Sequence, residues 1–316
     1  MDAMVITEFG ETDVFEQRDV DRPEPGPTEL LVRVHASSVN PVDCKIRQAG
    51  SWAGISPPTI IGYDVSGVVE DIGEAVTDFK VGDEVFYTPE IFGEQGSYAE
   101  FQTADESIVA PKPESLSHEE AAALPLAAAT AWEAIVTRGD VTAGETALIH
   151  GAGGVGAHAV QIADESGATV VAVTSPETVD QTEELGAARA IDYESEDFAD
   201  VIDSEFDEGV DLVFDTVGGE TLVDSTAVTN PHGRLVTILE PEGEWGSAYQ
   251  QNYTLEMCFL ERDRRPLNAL RRLVEAGRLE PVIDSVRPVT EVAQAHELVE
   301  GSGLTGKVVL DVDGAW

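Results

Sequence analysis

The chain contains little cysteine and few positive charges, and it lacks any long apolar run. Its two cysteines, Cys44 and Cys258, cannot form a disulfide framework or a cysteine-rich zinc lobe, and they fit a reducing cytosol. No run approaches the roughly 18–20 consecutive apolar residues that span a bilayer. The N-terminus shows neither the basic nor the apolar region of a secretory signal. These absences predict a cytoplasmic protein with no membrane partner.

The scarcity of cations leaves a strongly acidic chain, with 18 Lys plus Arg against 61 Asp plus Glu and a formal net charge of −43. The lysines are Lys45, Lys80, Lys112 and Lys307. Self-repulsion of this size destabilises a compact state in dilute buffer, and salt screens it. Because 42% of the residues are hydrophobic, the composition predicts a folded, halophilic protein rather than a disordered one. The charge argues against nucleic acid as a partner.

The length of 316 residues and a change in the predicted secondary structure along the chain together predict two domains. Up to about residue 115 the chain shows short strands broken by turns, which indicates a β-rich module. Ser117-His118-Glu119-Glu120 is a capping-box pattern, predicted to open an Ala-rich helix that continues to about Thr137. Strands and helices then alternate, which predicts an α/β fold with a parallel, doubly wound sheet. The predicted strands are residues 146–150, 169–174, 210–216 and 234–239, with helices at 155–166 and 177–185 between the first three.

A glycine-rich turn carries the strongest chemical signal. Gly151-Ala152-Gly153-Gly154-Val155-Gly156 fits G-x-G-x-x-G, follows a predicted strand and opens a predicted helix. The glycines allow a tight turn and bring the helix N-terminus close to a pyrophosphate, which its free N–H groups stabilise. The alternative is a glycine turn that binds no ligand. The context predicts a dinucleotide site that includes Gly151, Gly153, Gly154, Val155 and Gly156.

The end of the second predicted strand favours NADPH. NAD sites carry an Asp or Glu about 20 residues past the glycine motif, whereas this chain has Thr174-Ser175-Pro176 there. Without a carboxylate nothing repels a 2′-phosphate, and the hydroxyls of Thr174 and Ser175 can donate to it. No cation lies in that loop, since the next one downstream is Arg189. An ordinary turn would suit either nucleotide, so NADPH is the predicted cofactor and NADH the alternative.

Further motifs lie in a characteristic order along the chain. They are Asn40-Pro41-Val42-Asp43, Gly62-Tyr63-Asp64-Val65-Ser66-Gly67-Val68-Val69, Val81-Gly82-Asp83-Glu84-Val85, Gly96-Ser97-Tyr98-Ala99-Glu100, Ala122-Ala123-Leu124-Pro125, Thr130-Ala131-Trp132, Asp215-Thr216-Val217-Gly218-Gly219 and Gly306-Lys307-Val308-Val309-Leu310. With the glycine turn, this order resembles the medium-chain dehydrogenase/reductase superfamily, and within it the zinc-free quinone oxidoreductase (zeta-crystallin-like) branch. The resemblance implies a GroES-like catalytic domain of residues 1–116 and 266–316, a Rossmann NADP-binding domain of residues 117–265, and a homodimer.

The resemblance also implies a metal-free enzyme. Zinc-dependent relatives bind catalytic zinc with Cys, His and Cys, and here Asn40 stands at the position of the first Cys and Tyr63 at that of the His. The stretch before Thr130 offers only alanines, and a zinc site needs about three N or S ligands. Without a Lewis acid, hydride addition to an electrophilic quinone or to an alkene conjugated to a carbonyl is easier than reaction of a simple alcohol.

Three residues are the catalytic candidates. Asn40 and Tyr63 are expected to hydrogen-bond the substrate carbonyl or the nicotinamide, the alternatives being a turn residue before proline and a core aromatic. Trp52 stands where several relatives carry a tyrosine proposed to contact substrate or donate a proton. Indole cannot donate a proton to an enolate as a phenol can, so the proton is expected from Tyr63 or water. Trp52 either stacks on a flat substrate or covers the cleft as a packing residue.

Further cofactor contacts follow by position in the family. Thr130 resembles the hydroxyl near the nicotinamide, and Tyr193 the tyrosine beside the adenosine ribose or its phosphate. The contacts expected at strand ends, where open α/β sheets bind ligands, are Thr216, Val217, Gly218 and Leu239. Lys307 either approaches the cofactor phosphates or starts a strand and pairs with a surface acid.

Together these features predict a zinc-independent, NADPH-dependent reductase that acts on a small-molecule quinone or α,β-unsaturated carbonyl. One alternative within enzymes is a 2-alkenal or enoyl-thioester reductase. The alternative from another class is a non-catalytic NADPH-binding protein such as a redox sensor.

Overall fold

The chain folds into two compact units. The computed structural model describes residues 1–92, 95–206, 208–301 and 303–316. The first unit comprises Met1–Ala127, Glu261–Gly277 and Pro281–Trp316, and the second comprises Ala128–Leu260 and Arg278–Glu280. No helix formed by the described residues is long and apolar enough to cross a membrane.

The strands of both units are numbered in chain order. They are β1 (Asp2–Ile6), β2 (Phe15–Asp19), β3 (Glu29–Val39), β4 (Thr59–Ile60), β5 (Val65–Ile72), β6 (Glu84–Tyr87), β7 (Phe101–Asp105), β8 (Ala110–Pro111), β9 (Thr146–His150), β10 (Thr169–Thr174), β11 (Arg189–Asp192), β12 (Val210–Asp215), β13 (Thr229–Thr237), β14 (Thr254–Met257), β15 (Ile283–Pro288) and β16 (Lys307–Asp311).

The helices are numbered in the same way. They are α1 (Pro41–Ala49), α2 (His118–Ala122), α3 (Pro125–Trp132), α4 (Gly154–Glu165), α5 (Val179–Glu184), α6 (Phe198–Glu205), α7 (Thr221–Asp224), α8 (Gly246–Gln251), α9 (Arg264–Glu275) and α10 (Val292–Glu300). Short 3₁₀ turns cover Gly50–Ala53 and Pro176–Thr178, among others, and a π-helical segment covers Glu133–Arg138.

The second unit contains the predicted doubly wound sheet. Its described strands are all parallel and lie in the order β11-β10-β9-β12-β13-β14. Leu148, Val171 and Val213 from three neighbouring strands are fully buried in its core. Strands covered on both faces read as continuous apolar runs, which is why they could be located in the sequence. The order reverses between β9 and β12, where open α/β sheets bind ligands.

The first unit is built from both ends of the chain. Its longest strand, β3, pairs antiparallel with β5 and β7 from the N-terminal part and with β16 from the C-terminal part. In the β16 pairing, Val309 faces Ser38. A second, three-stranded sheet has the order β2-β1-β4. Strands from both ends of the chain therefore contribute to this sheet.

The predicted helix from Ser117 to about Thr137 is wrong as a single element. The Ser117 cap forms as expected, with its hydroxyl accepting from the Glu120 N–H, but α2 ends at Ala122 and Pro125 begins α3. Proline has no N–H to donate and clashes with the preceding turn, so it suits a helix start. Because α2 packs on β3 and β5, it belongs to the first unit.

The other unit boundary also differs from the predicted one. The main part of the second unit ends at Leu260, and the short later segment Arg278–Glu280 also belongs to this unit. Two hydrogen bonds attach this segment to α4. The Gln161 side chain accepts from the Glu280 N–H at 2.8 Å and donates to the Glu280 carbonyl at 3.1 Å.

Candidate active site

The glycine turn of the second unit has the form that a dinucleotide needs. It connects β9 to α4, and Gly151 has φ +85°, a conformation that favours glycine. A Cβ at Gly156 would lie 1.7 Å from the Gly151 carbonyl oxygen, so the helix can approach the strand only without a side chain there. Apart from its chain neighbours, no atom of the residues that the structure describes lies within 4 Å of the Cβ position at Gly153. This open space above the N-terminus of α4 fits the pyrophosphate of a dinucleotide.

A second strand end lies against this turn. The Thr216 hydroxyl, just after β12, donates to the carbonyl of His150 at 2.8 Å. Asp215 accepts from the N–H groups of Val217 and Gly218 at 2.9 and 3.0 Å, which fixes the loop that follows. A Cβ at Gly218 would lie 2.8 Å from Leu239, after β13. The structure therefore brings Thr216, Val217, Gly218 and Leu239 together beside Gly151, and Val217 is exposed there.

Thr174 and Ser175 at the end of β10 carry hydroxyl groups, and the acid next to them in the sheet is Asp192, which pairs with Thr174 at the end of β11. Thr174 is buried, and its hydroxyl lies 2.5 Å from that of Thr178, which also lies 3.2 Å from the Ser175 hydroxyl. Tyr193 is exposed, and its N–H donates to the Thr174 carbonyl. The guanidinium of Arg189 is paired with Glu196 and Glu205. Ser175 and Tyr193 thus lie at the ends of the adjacent strands β10 and β11, and their expected contact with an adenosine ribose stays a prediction.

Thr130 lies in the second unit, whereas the catalytic candidates lie in the first. Thr130 is buried on α3, and its role toward the nicotinamide stays a prediction. Trp52 lies in the Gly50–Ala53 turn with half of its surface exposed. Its ring meets that of Phe92 edge-on, with centroids 6.4 Å apart. These two exposed aromatic rings form an apolar surface in the first unit, on which a flat molecule can stack.

Asn40 precedes α1 and is almost fully buried. Its Nδ2 group donates to Asp64 Oδ2 at 2.7 Å, and its Oδ1 accepts a hydrogen bond from the ammonium of Lys307. The amide is therefore bound at both ends by its own unit. A direct hydrogen bond from Asn40 to a substrate, as expected from the sequence, would require one of these contacts to break.

Lys307 requires a correction. Its Nζ contacts the Val39 carbonyl at 2.9 Å, Asp64 Oδ2 at 3.3 Å and the Asn40 side-chain oxygen. An ammonium has three N–H donors, and these three acceptors occupy them. The lysine lies inside the first unit with its side chain 4% exposed. Lys307 begins β16 and pairs with an acid, as one of the two expectations had it, but that acid, Asp64, is buried and does not lie at the surface. A contact with cofactor phosphates, the other expectation, would require one of the three hydrogen bonds to break.

Tyr63 carries a buried hydroxyl with no hydrogen-bond partner among the described residues. The side chain is fully buried, and the Thr88 hydroxyl donates to its backbone carbonyl at 2.6 Å. Burial raises the pKa of the Tyr63 phenol well above its ordinary value, and the charge of Asp43 adds to the rise. The phenol therefore stays protonated and available as a donor.

Sequence reasoning gave Asp43 no chemistry, yet it lies at the centre of the buried polar cluster. Its Oδ2 accepts from the Asn40 N–H at 2.6 Å and from the Tyr98 hydroxyl at 3.1 Å. The Tyr98 hydroxyl also lies 3.2 Å from His296 Nε2. The sequence signal that points to this cluster is Asn40-Pro41-Val42-Asp43, because an acid three residues after a helix cap commonly accepts from the backbone of that cap.

The residues of this cluster do not suit a zinc ion. Among the described residues no group of three or more His, Cys, Asp and Glu side chains could hold a metal. Cys44 lies 3.4 Å from His296 Nδ1, but burial raises the pKa of the thiol to about 12, whereas zinc binds the thiolate. The Lys307 ammonium beside Asn40 and Asp64 would repel a divalent cation.

Comparisons with known proteins cover nearly the whole chain. Residues 26–114 match the family described as alcohol dehydrogenase GroES-like domain, and residues 185–310 match that described as zinc-binding dehydrogenase. An NADPH-dependent alkenal/one oxidoreductase of Arabidopsis thaliana is 35% identical, over 98% of this chain and 79% of the relative. A quinone oxidoreductase of Mus musculus is 32% identical, over 98% and 97%. The solved structure of a quinone oxidoreductase from Coxiella burnetii superposes with a TM-score of 0.90 at 32% identity, over 99% of each chain.

Proposed function

The chain belongs to the medium-chain dehydrogenase/reductase superfamily, in its zeta-crystallin-like branch, and from this premise we propose that it transfers hydride from NADPH to quinones or α,β-unsaturated carbonyls without a metal. It is an oxidoreductase that uses a nicotinamide cofactor and reduces quinones or enones, as its relatives do. The choice of NADPH over NADH, the independence of metal and the roles of single residues are the parts that need testing.

The buried hydroxyl of Tyr63 is the observation that carries the proposal. Leaving a buried donor without a partner costs about 1–3 kcal/mol, and a substrate carbonyl oxygen would satisfy this one. As hydride adds to the acceptor, negative charge develops on that oxygen, and a hydrogen bond from a phenol stabilises it. Because burial raises its pKa, the phenol stays neutral and keeps its proton until such a charge appears.

The other candidates then have separate tasks. A bound nicotinamide would supply the hydride, and the glycine turn at Gly151–Gly156 would hold its pyrophosphate. The exposed rings of Trp52 and Phe92 offer a surface on which a planar quinone or enone stacks. Asn40 holds its place through Lys307 and Asp64 rather than touching the substrate itself.

A buried ammonium supports the absence of a metal from the reaction. The sequence places Asn40 where zinc-dependent relatives carry a thiolate, and Lys307 supplies a positive charge beside it. An amide and an ammonium cannot replace a thiolate as zinc ligands. An acceptor that is already electrophilic needs no Lewis acid, which is why quinones and enones are the proposed substrates.

We further propose a homodimer formed through β14. Among the described strands, β14 is an edge strand of its sheet and pairs only with β13. Leu255 and Met257 on it are exposed. A second copy of the same edge would pair the free backbone groups and cover these side chains. Sedimentation velocity is expected to give a dimer for the wild type and a monomer for Met257→Asp, and a wild-type monomer would contradict this assembly.

The experiment that tests the function is a screen of NADPH oxidation against quinones, enones and enoyl-thioesters in molar KCl. Tyr63→Phe is expected to lower kcat/KM at least tenfold for each active acceptor, because one donor to the developing charge is lost. Its NADPH affinity should stay unchanged. The matched control is Tyr249→Phe, which removes an exposed hydroxyl and should behave as the wild type.

The same screen separates the alternatives. Turnover of enoyl-thioesters alone would favour an enoyl-thioester reductase. NADPH binding with turnover of none of the three acceptor classes would contradict the proposed activity and favour a nucleotide-binding sensor.

A further inference from the structure

The second unit, which carries the glycine turn, contains very few cations. The residues assigned to it, Ala128–Leu260 and Arg278–Glu280, include four arginines and no lysine, against 27 Asp and Glu residues. The unit therefore has a large negative net charge. A dinucleotide is itself an anion because of its pyrophosphate, so it must bind to a unit that carries charge of the same sign.

All four arginines of the second unit are bound to carboxylates of the same unit. The pairs are Arg138 with Glu133 at 2.6 Å, Arg189 with Glu196, Arg234 with Glu145 at 2.6 Å and Arg278 with Glu165 at 3.3 Å. Each carboxylate offsets the charge of its guanidinium, so these cations attract a phosphate only weakly. Nucleotide affinity within this unit therefore rests on uncharged donors, such as the N–H groups at the N-terminus of α4.

Acidic side chains lie close to the end of β10. Asp192, at the end of β11, is the register partner of Thr174, and adjacent strands are about 4.8 Å apart. The Asp192 carboxylate accepts from the Glu194 N–H at 2.9 Å and from the Ser195 hydroxyl at 2.6 Å, and these bonds hold it at the strand end. Glu177, in the turn after β10, is exposed. A phosphate at this strand end would therefore lie near at least one carboxylate.

NADPH and NADH differ in charge by one phosphate. At pH 7 a phosphate monoester such as the 2′-phosphate of NADPH carries a charge of about −1.5 to −2. Repulsion by nearby carboxylates therefore opposes the binding of NADPH more strongly than that of NADH. The Debye length is about 10 Å at 0.1 M salt and about 3 Å at 1 M. Molar salt thus removes most of this repulsion, while hydrogen bonds from uncharged donors persist.

We propose that the salt concentration sets the nucleotide preference of this protein, and that Asp192 is the residue that makes the preference depend on salt. This inference rests on the proposed function, because it requires NADPH to bind with its 2′-phosphate at the end of β10. In molar KCl the preference for NADPH is largest. In dilute salt the Asp192 carboxylate repels the phosphate, and the preference shrinks. A phosphate site built from cations has the opposite dependence, because salt screens an attraction there.

The first test measures the Kd of NADPH and of NADH by fluorescence titration between about 0.1 and 2 M KCl. The ratio of the NADH Kd to the NADPH Kd should rise about fivefold over this range, as expected for a phosphate and a few carboxylates within a Debye length. An unfolded fraction at low salt weakens the apparent binding of both nucleotides by the same factor, so the ratio is independent of salt effects on stability. A ratio that is constant or that falls with salt would overturn the inference.

The second test removes the charge of Asp192. Asp192→Asn keeps a side-chain oxygen that can accept from the Glu194 N–H. At low salt this variant should bind NADPH about two- to threefold more tightly than the wild type, with little change for NADH, and in 2 M KCl the two proteins should agree. The matched control is Asp164→Asn, which removes an exposed acid about 15 Å along α4 from its N-terminus and should behave as the wild type. Wild-type ratios in Asp192→Asn at low salt would show that this residue is not responsible.

The third test adds a cation at the same strand end. Ser175→Arg should bind NADPH most tightly at low salt and lose affinity as KCl rises, because salt now screens an attraction. Thr169→Arg adds the same charge at the opposite end of β10, where Thr169 is exposed, and should keep the rise seen in the wild type. An unchanged salt dependence in Ser175→Arg would place the 2′-phosphate elsewhere and overturn the inference.

A change of salt separates screening from the binding of a particular ion. Choline chloride at the same ionic strength should give the same ratios as KCl, whereas a rise in KCl alone would indicate a bound potassium ion and overturn the inference. A protein that binds neither nucleotide at any salt concentration would contradict the proposed function, and the inference with it. The predicted salt dependence in a protein that reduces no quinone or enone would support the inference and contradict the proposed activity alone.

Discussion

The Lys307 ammonium and the Asp64 carboxylate lie 3.3 Å apart inside the first unit, with side-chain exposures of 4% and 0%. Asp64 accepts three further hydrogen bonds, from the Ser38 hydroxyl at 2.5 Å, from Asn40 Nδ2 at 2.7 Å and from the Leu126 N–H at 2.7 Å. The pair therefore connects β16 to the segments before α1 and β5 and to the start of α3. A buried charge is stable only while its partners remain.

Removing the cation alone should destabilise the protein strongly. Lys307→Met leaves the Asp64 carboxylate buried without its counter-charge, and we expect the free energy of unfolding to fall by about 3–5 kcal/mol. Urea unfolding of the first unit in molar KCl measures the change. Lys80→Met removes an exposed lysine and should cost less than about 1 kcal/mol. The double variant Asp64→Asn/Lys307→Met should be more stable than Lys307→Met, and equal losses in the two would refute the pairing argument.

The choice of nucleotide depends on the hydroxyls at the end of β10. Because Thr174 and Ser175 replace the acid of NAD sites, NADPH should bind more tightly than NADH. Ser175→Asp adds a charge that repels the 2′-phosphate and accepts from the ribose hydroxyls, so it should reverse or abolish the preference. Fluorescence titration with each nucleotide measures this. Ser204→Asp adds the same charge at an exposed position of α6 and should leave the preference intact. Equal wild-type affinities would contradict the assignment.

Metal removal should leave the activity unchanged. Asn40, Tyr63 and Lys307 provide no set of zinc ligands, so protein dialysed against a chelator should keep its full kcat for quinone reduction. Elemental analysis of the same sample gives the control. Stoichiometric zinc in the purified protein, with activity lost and regained as zinc is removed and restored, would show that the ligand assignment is wrong.

Features that depend on neighbours in the chain could be predicted from the sequence, whereas those that depend on the tertiary fold could not. The glycine turn was located because strand, turn and helix follow one another around Gly151. The break at Pro125 was missed because an alanine-rich pattern continues on both sides of it. Proline ends such a pattern through its missing N–H rather than through hydropathy.

The buried polar cluster of the candidate site could not be predicted from the sequence, because it too depends on the tertiary fold. Asp43, Tyr98 and His296 come from α1, the segment before β7, and α10, and no local pattern connects them. Lys307 is conspicuous in the sequence because lysine is rare in this chain. The position of its side chain, however, is set by the pairing of β3 with β16, which places the ammonium beside Val39 and Asn40. Composition cannot distinguish a lysine that contacts a cofactor from one that is buried within its own unit.

The last prediction concerns the charge of the whole chain. One-to-one pairing of all 18 cations with the 61 acids would still leave a net charge of −43. Several of the cations are in fact already paired at the surface, such as Arg18 with Glu16 and Arg33 with Glu70. Most of the remaining carboxylates must lie at the surface, since unpaired charges are rarely buried. The folded state therefore concentrates negative charge that unfolding would spread apart.

Salt should stabilise such a protein over a wide range. The Debye length falls from about 10 Å at 0.1 M to about 3 Å at 1 M, so neighbouring carboxylates become decoupled only in molar salt. We expect both Tm and activity to rise from about 0.1 M to above 1 M KCl. Lowering the pH toward about 5 at low salt should raise Tm in part, because protonation of some carboxylates reduces the same repulsion. A Tm that is flat across this salt range would show that the acidic composition is not an adaptation to salt.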